Sequence, residues 1–118
     1  MIQMQFNSVS ASEAGDYFQV LFEEDADNPE ACYFLVQCQF EFPAGGEFYI
    51  ESDDTRFCGH FKVKGATLSR QTLRLEMPST QWKRIEIEFA ANQVVYEELV
   101  RVLRIMFEDK LQHIEQDA

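Results

Sequence analysis

Hydrophobic and polar residues alternate through the first three-quarters of the chain. Apolar side chains recur at every second position, which is typical of β-strands with one buried and one solvated face. Because the links between these segments are short, neighbouring strands are predicted to pair antiparallel. The inward-facing sets are Ile2, Met4 and Phe6; Phe18, Val20 and Phe22; Cys32, Phe34, Val36, Cys38, Phe40 and Phe42; Phe48 and Ile50; Phe57, Gly59, Phe61 and Val63; Leu73, Leu75 and Met77; and Ile85, Ile87 and Phe89.

From Asn92 the hydrophobic period changes to 3.6, which predicts an amphipathic helix of about 18 residues. Asn92 is its predicted N-cap. We expect Arg101 to pair with Glu97 and Arg104 to pair with Glu108 on its solvated side. The chain from His113 onward is expected to fray. The apolar stripe consists of Val95, Leu99, Val102, Leu103 and Met106.

These patterns predict a single α+β domain over residues 1–118. We expect an antiparallel, meander-like sheet of about six or seven strands with the C-terminal amphipathic helix packed on one face. A chain of 118 residues is long enough for one hydrophobic core without metal or disulfide help. Residues 7–16, rich in serine and alanine, fit either a loop or a short helix.

Negative charge is concentrated in the first half of the chain. The formal net charge is −11 and the isoelectric point is about 4.5. Residues 1–60 hold twelve acidic side chains and one base, Arg56, for a net charge of −11, whereas residues 61–118 hold nine of each, for a net charge of zero. A field of this sign repels nucleic acids and anionic membranes and favours a basic protein partner.

Two acidic loops form the predicted partner-binding surface, because their carboxylates would steer and orient a lysine- or arginine-rich protein. The acidic run at residues 23–30 is not a calcium-binding loop, because it lacks the glycine and the glutamate of an EF-hand. The alternative to a partner-binding surface is therefore a solvated hairpin turn. Trp82 could pack in the core or anchor a partner. The predicted contact residues are Glu23, Glu24, Asp25, Asp27, Glu51, Asp53 and Asp54.

The cysteine and histidine positions argue against a metal site. Cys32 and Cys38 share strand parity with the core phenylalanines, whereas Cys58 and His60 share parity with lysines, so four ligands would not converge. Cys58 and His60 on one strand face are a weak match to a thiol nucleophile and its base. Gly59 between them is expected to mark a bulge or a close backbone approach. We therefore expect no metal, no cofactor and no enzymatic activity.

Sequence features also predict a cytoplasmic protein with free thiols. No apolar run approaches the roughly 20 residues that span a bilayer, and the N-terminus lacks the basic start and apolar block of a secretory signal. Three cysteines without framework spacing fit a reducing compartment. Any free strand edge could be covered by a second copy, which leaves a homodimer open.

Five segments within a region from about residue 30 to 110 share features with a known family: residues 48–51, 58–61, 66–75, 84–89 and 99–107. Together they resemble the immunity protein ten family of bacterial polymorphic-toxin systems. The last two look like that family's final strand and C-terminal helix. The resemblance implies an α+β fold, no enzymatic activity, and neutralisation of a toxin encoded beside the protein; no functional residue is carried over.

Three functional hypotheses follow from the sequence. The first is a toxin-neutralising immunity protein that binds a cognate bacterial toxin directly; a nuclease toxin is basic, so an acidic inhibitor is complementary to it. The second is a small acidic secretion chaperone for an effector protein. It ranks lower because the chaperone pattern opens with a helix, whereas this helix comes last. The third is a small enzyme that uses Cys58 or an acidic pair.

Overall fold

The described part of the chain forms two five-stranded β-sheets and one α-helix. The computed structural model describes residues 2–14, 17–25, 27–28, 30–39, 47–78 and 83–113. Two short 3₁₀ turns lie at Thr55–Phe57 and Glu108–Lys110. In chain order the other elements are β1 (Ile2–Gln5), β2 (Ser8–Ala14), β3 (Tyr17–Glu23), β4 (Tyr33–Gln39), β5 (Glu47–Ser52), β6 (Gly59–Lys62), β7 (Gly65–Leu68), β8 (Thr72–Glu76), β9 (Arg84–Glu88), α1 (Gln93–Phe107) and β10 (Leu111–His113).

The strands divide between a mixed first sheet and an antiparallel second sheet. The second sheet has the order β2-β3-β4-β5-β6, and each strand pairs antiparallel with the next, so it is the predicted meander. The first sheet has the order β1-β9-β8-β7-β10; its edge strands β1 and β10 pair parallel with β9 and β7. The predicted α+β class with antiparallel strands and one C-terminal helix is confirmed. The sequence pattern did not predict that the strands divide between two sheets.

Alternation along each strand decides which side chains enter the core. In β3, Phe18, Val20 and Phe22 are buried, while the residues between them are at least partly exposed. The same alternation places Leu73, Leu75, Ile85 and Ile87 inside on β8 and β9. The inward parity predicted for these strands is therefore confirmed.

Aromatic rings join the two sheets and the helix. The ring centroid of Phe22 lies 6.1 Å from that of Phe6 and 5.7 Å from that of Phe89. Phe48 of β5 stacks on Phe107 at the end of α1, with centroids 4.5 Å apart. The buried side chains of both sheets and the helix form one hydrophobic cluster. Because the inner sheet faces form this core, the outer faces, the edges and the loops make up the surface of the described residues.

Helix α1 begins where the sequence predicts. The Asn92 side chain accepts a hydrogen bond from the Val95 backbone N–H at 2.8 Å, as an N-cap does. The buried face of the helix contacts strands of both sheets. The helix has 15 residues, fewer than predicted, and it ends at Phe107, because the C-cap Glu108 has a φ of 52°, outside the helical region. No helix in the described part of the chain is long and apolar enough to cross a membrane.

Arg101 ties the helix to the edge of the second sheet. Its guanidinium donates to Glu13 of β2 at 2.7 Å and to Glu98 one turn earlier in the helix. The sequence predicted Glu97 as the partner of Arg101, but Glu97 accepts a hydrogen bond from Gln93 at 3.0 Å. A contact to a distant strand is invisible in the helical spacing alone.

Three local predictions differ from the structure. Residues 8–14 form β2, neither a loop nor a short helix, because they pair with β3 along its whole length. Phe57 is buried as predicted but belongs to a 3₁₀ turn. His113 lies opposite Leu68 in the pairing of β10 with β7 and is not frayed. The predictions for Phe40, Phe42, Trp82 and residues 114–118 fall outside the described residues.

Candidate functional site

The two sheets present outer faces of different chemistry. On the first sheet, Arg74 pairs with Glu86 at 3.4 Å and Arg84 pairs with Glu76 at 3.2 Å, each across neighbouring strands. This face is a solvated polar surface whose charges partly neutralise one another. Its outward residues include Gln3, Gln5, Thr67, Thr72, Arg74, Glu76, Arg84, Glu86 and Glu88.

The second sheet carries aliphatic and aromatic side chains on its outer face. Leu21 of β3 and Leu35 of β4 lie directly opposite each other, and neither belongs to the core. Tyr33 is opposite Glu23 in the adjacent row on one side, and Tyr49 is opposite Gln37 on the other. All four apolar or aromatic residues are half-buried. We call Leu21, Tyr33, Leu35 and Tyr49 the tyrosine–leucine face.

A carboxylate fixes both tyrosines of this face. Glu51 accepts hydrogen bonds from the hydroxyl of Tyr33 at 3.1 Å and from the hydroxyl of Tyr49 at 2.8 Å. The bond to Glu51 is the first cause that raises the pKa of Tyr49, whereas burial is the first cause for Tyr33 and the bond to Glu51 the second. Glu51 therefore favours the protonated form of both phenols and fixes the positions of their hydroxyl groups.

The two predicted acidic loops meet at one end of the second sheet. The Tyr33 backbone N–H donates to Asp53 at 3.1 Å. The neighbouring carboxylates of Asp53, first, and of Glu24, second, raise the pKa of the Cys32 thiol to about 11. Cys32 was predicted to face the core but is exposed, because β4 begins only at Tyr33. One thiol therefore lies between carboxylates of both loops.

The first acidic loop connects the antiparallel strands β3 and β4. Asp25 accepts a hydrogen bond from the backbone N–H of Asp27 at 3.0 Å, and Asn28 accepts one from that of Glu30 at the same distance. These short-range bonds stabilise the turn and leave the side chain of Asp27 exposed beyond it.

Asp54 differs from the other predicted contact residues because it already has a cationic partner. Arg56 donates to its carboxylate through two nitrogens, at 3.1 Å and 2.7 Å. Hydrogen bonding to Arg56 holds the pKa of Asp54 below its ordinary value. The hydroxyl of Ser52 and the backbone of Asp54 also bond to each other. Asp54 therefore stabilises its own loop.

Most of the remaining predicted contact residues have no neutralising base. Among the described residues, no lysine or arginine forms an ion pair with Glu23, Glu24, Asp25, Asp27 or Asp53. Like charges held close together repel, and an approaching cation relieves that repulsion. The structure brings these residues together at one end of the tyrosine–leucine face.

No protein-family model, curated protein or solved structure matches this chain.

Cys58 and His60 flank Gly59 at the start of β6, after the second acidic loop. The Cys58 thiol points at the carbonyl oxygen of Ser52, 3.3 Å away, and the His60 ring lies 5.5 Å from the ring of Tyr49. Gly59 has a φ of 133°, and a Cβ there would touch nothing within 4 Å. The glycine is thus required by backbone conformation and not by a close approach. Within the described residues, no three His, Cys, Asp or Glu side chains gather as metal ligands.

Sequence reasoning missed the apolar centre of this surface. Leu21 and Leu35 stand at positions where the strand alternation calls for polar residues. Their positions were a usable signal, since neighbouring leucines on the solvated face of a sheet can mark a protein contact surface. Tyr33 carried a similar signal at the start of β4.

Proposed function

We propose that this protein neutralises a cognate bacterial toxin by binding it directly through the tyrosine–leucine face and the carboxylates beside it. The observation that carries the proposal is the difference between the two outer faces. One face is polar with paired charges, whereas the other exposes leucine and tyrosine next to carboxylates that no described base neutralises. The resemblance to the immunity protein ten family favours the same function.

The composition of the face supports protein binding. Stable interfaces have an apolar and aromatic centre, with tyrosine enriched, and a polar rim. Leu21 and Leu35 supply the centre, and Glu23 lies opposite Tyr33 at its margin. Tyr33 and Tyr49 are already oriented by Glu51, so little side-chain entropy is lost when a partner binds.

The charge supports a basic partner. The net charge of −11 comes from residues 1–60, which include the whole second sheet except part of β6. A nuclease must carry positive charge to hold phosphate groups, so it is attracted to such a surface. Complementary charge raises the association rate and fixes orientation more than it raises affinity.

The test uses the product of the neighbouring gene. The C-terminal module of the protein encoded directly upstream is expressed in bacteria, alone and together with this protein. We expect the module alone to arrest growth and co-expression to restore it, with the two purified proteins forming a complex. A toxic module that this protein neither binds nor neutralises would overturn the proposal.

A matched pair of charge variants tests the surface. Glu24→Lys with Asp25→Lys reverses two exposed carboxylates beside the face. Glu88→Lys with Glu97→Lys changes the net charge equally but lies on the first sheet and the helix. The first pair should slow association with the toxin roughly tenfold or more at low salt, and the second should not. Equal effects would exclude the turn as a contact surface.

A secretion chaperone would behave differently in the same assay. It would bind the unfolded module more tightly than the folded one, because it recognises exposed chain and not a finished surface. An inhibitor prefers the folded toxin. Comparing binding to native and to denatured, immobilised module separates the two functions.

A further inference from the structure

A shallow depression opens in the tyrosine–leucine face beside the β3–β4 turn. Its volume is about 320 Å³, and its lining includes Leu21, Leu35, Tyr33, Glu23 and Glu51. Leu21 and Leu35 face each other across β3 and β4, and Glu23 lies opposite Tyr33 in the next row. The depression therefore combines an aliphatic floor, an aromatic wall and a carboxylate rim.

This combination suits a side chain that is apolar along its stem and cationic at its tip. An anion would be repelled by Glu23 and by Asp25, which also lines the depression. A purely apolar group would remove water from those carboxylates without replacing its hydrogen bonds, which is unfavourable. Arginine and lysine both bury an aliphatic stem while their charge stays at a polar edge.

Arginine fits better than lysine. Its planar guanidinium stacks on an aromatic ring and donates two parallel hydrogen bonds to a carboxylate, whereas an ammonium group is a more strongly hydrated point charge. Tyr33 supplies the ring, and Glu23 directly opposite supplies the carboxylate. Among the described residues, no base of this protein pairs with Glu23, so the carboxylate is available.

Glu51 has a different task from the other rim carboxylates. Both of its oxygens accept tyrosine hydroxyls, one from Tyr33 and one from Tyr49. Glu51 is therefore a positioning residue that sets the angle of the aromatic wall. The acidic group left to meet a cation is Glu23, with Asp25 behind it.

We infer that the depression receives an arginine side chain of the protein partner, its stem on Leu21 and Leu35 and its guanidinium between Tyr33 and Glu23. That the partner is a toxin rests on the proposed function. The contact chemistry is independent of that identity.

The experiment titrates isotope-labelled protein with octa-arginine, octa-lysine and octa-citrulline while backbone amide signals are recorded by NMR. We expect octa-arginine to shift the amides of Leu21, Tyr33 and Leu35 most. Octa-lysine should bind roughly threefold more weakly, which is the size of an exposed cation–π contact, and neutral octa-citrulline should not bind measurably. Shifts of equal size over all acidic segments, or equal affinity for the two cationic peptides, would overturn the inference.

Two serine variants separate the depression from charge alone. Leu35→Ser removes half of the aliphatic floor without changing any charge and should weaken octa-arginine binding roughly fivefold. Val94→Ser alters the helix residue that is 75% exposed and should leave binding unchanged. Wild-type affinity in Leu35→Ser would contradict the inference, because electrostatic attraction alone would then explain the binding.

The same variants distinguish failure of this inference from failure of the proposed function. If Leu35→Ser binds and neutralises the toxin as the wild type does, the arginine contact is wrong while the immunity function stands. If octa-arginine binds in the depression as expected but no neighbouring module is neutralised, the immunity function fails and the arginine contact stands.

Discussion

The hydroxyl of Tyr33 donates a hydrogen bond to Glu51, 3.1 Å away on the neighbouring strand. The two residues are 18 positions apart in the chain and are brought together only by the pairing of β4 with β5. Tyr49 donates to the other oxygen of the same carboxylate. One half-buried carboxylate thus orients two aromatic rings of the proposed contact surface, which makes its removal informative.

Glu51→Gln is expected to lower the pKa of Tyr49 toward its ordinary value of 10.0, because the carboxylate that favours the protonated phenol is lost. The pKa of Tyr33 should fall less, since burial is the larger cause of its rise. Absorbance titration of the tyrosines measures both, with Tyr33→Phe and Tyr49→Phe assigning the signals. Glu86→Gln on the first sheet is the control and should change neither tyrosine.

The same shift predicts how stability depends on pH. A pKa raised in the folded state means that the protonated phenol stabilises the fold, and this contribution is present below the unfolded pKa of 10.0 and lost as pH rises through the folded value. Raising the pH above 10.0 should therefore lower the free energy of unfolding of the wild type more steeply than that of Glu51→Gln, as measured by chemical denaturation. Parallel losses in the two proteins would show that Glu51 does not set these titrations.

Neighbouring residues on β3 should differ sharply in their effect on stability. Phe22→Ala removes a fully buried ring that packs against Phe6 and Phe89, at a cost of about 3–5 kcal/mol. Leu21→Ala alters the outer face and should cost about 1 kcal/mol or less. Urea denaturation measures both free energies of unfolding. A loss in Leu21→Ala as large as that in Phe22→Ala would place Leu21 in the core.

The sequence predicts the faces of the strands better than their partners. Period-two alternation assigns Phe22 and Ile50 to the core correctly, because it depends only on which side of a strand is buried. The alternation does not indicate which sheet a strand joins, and it does not predict that β1 pairs with β9. Ser8–Ala14 has one β-branched residue, Val9, among serines, alanines and a glutamate, so its strand conformation depends mainly on pairing with β3.

The candidate site could be predicted in part. Acidic runs marked Asp25 and Asp53 as surface carboxylates, and proximity of their loops then follows from the β3–β4–β5 meander. The engagement of Asp54 by Arg56 and of Glu51 by Tyr33 could not be predicted, since each depends on side-chain positions within a folded loop or sheet. The sequence therefore located the acidic surface without distinguishing available carboxylates from occupied ones.

Removal of the helix cap should destabilise the whole protein. Asn92→Ala loses the hydrogen bond to the Val95 backbone N–H and should cost about 1 kcal/mol, whereas Asn92→Ser keeps an acceptor and should stay close to the wild type. Because α1 contacts strands of both sheets, the loss should appear in global unfolding followed by far-ultraviolet circular dichroism. A transition unchanged in Asn92→Ala would mean that the cap contributes nothing in this context.

The carboxylates around Cys32 should make an exposed thiol unusually unreactive. Its pKa is raised from 9.0 to about 11, first by Asp53 and then by Glu24, so below pH 9.0 its thiolate is scarcer than in an unfolded peptide. Iodoacetamide should therefore alkylate Cys32 at least about tenfold more slowly in the folded protein, as followed by peptide mass spectrometry. Asp53→Asn should restore much of the rate, and Glu88→Gln, which removes a first-sheet carboxylate that does not contribute to the raised pKa, should not. Rapid alkylation of the wild type, or no gain in Asp53→Asn, would mean that these carboxylates do not act on Cys32.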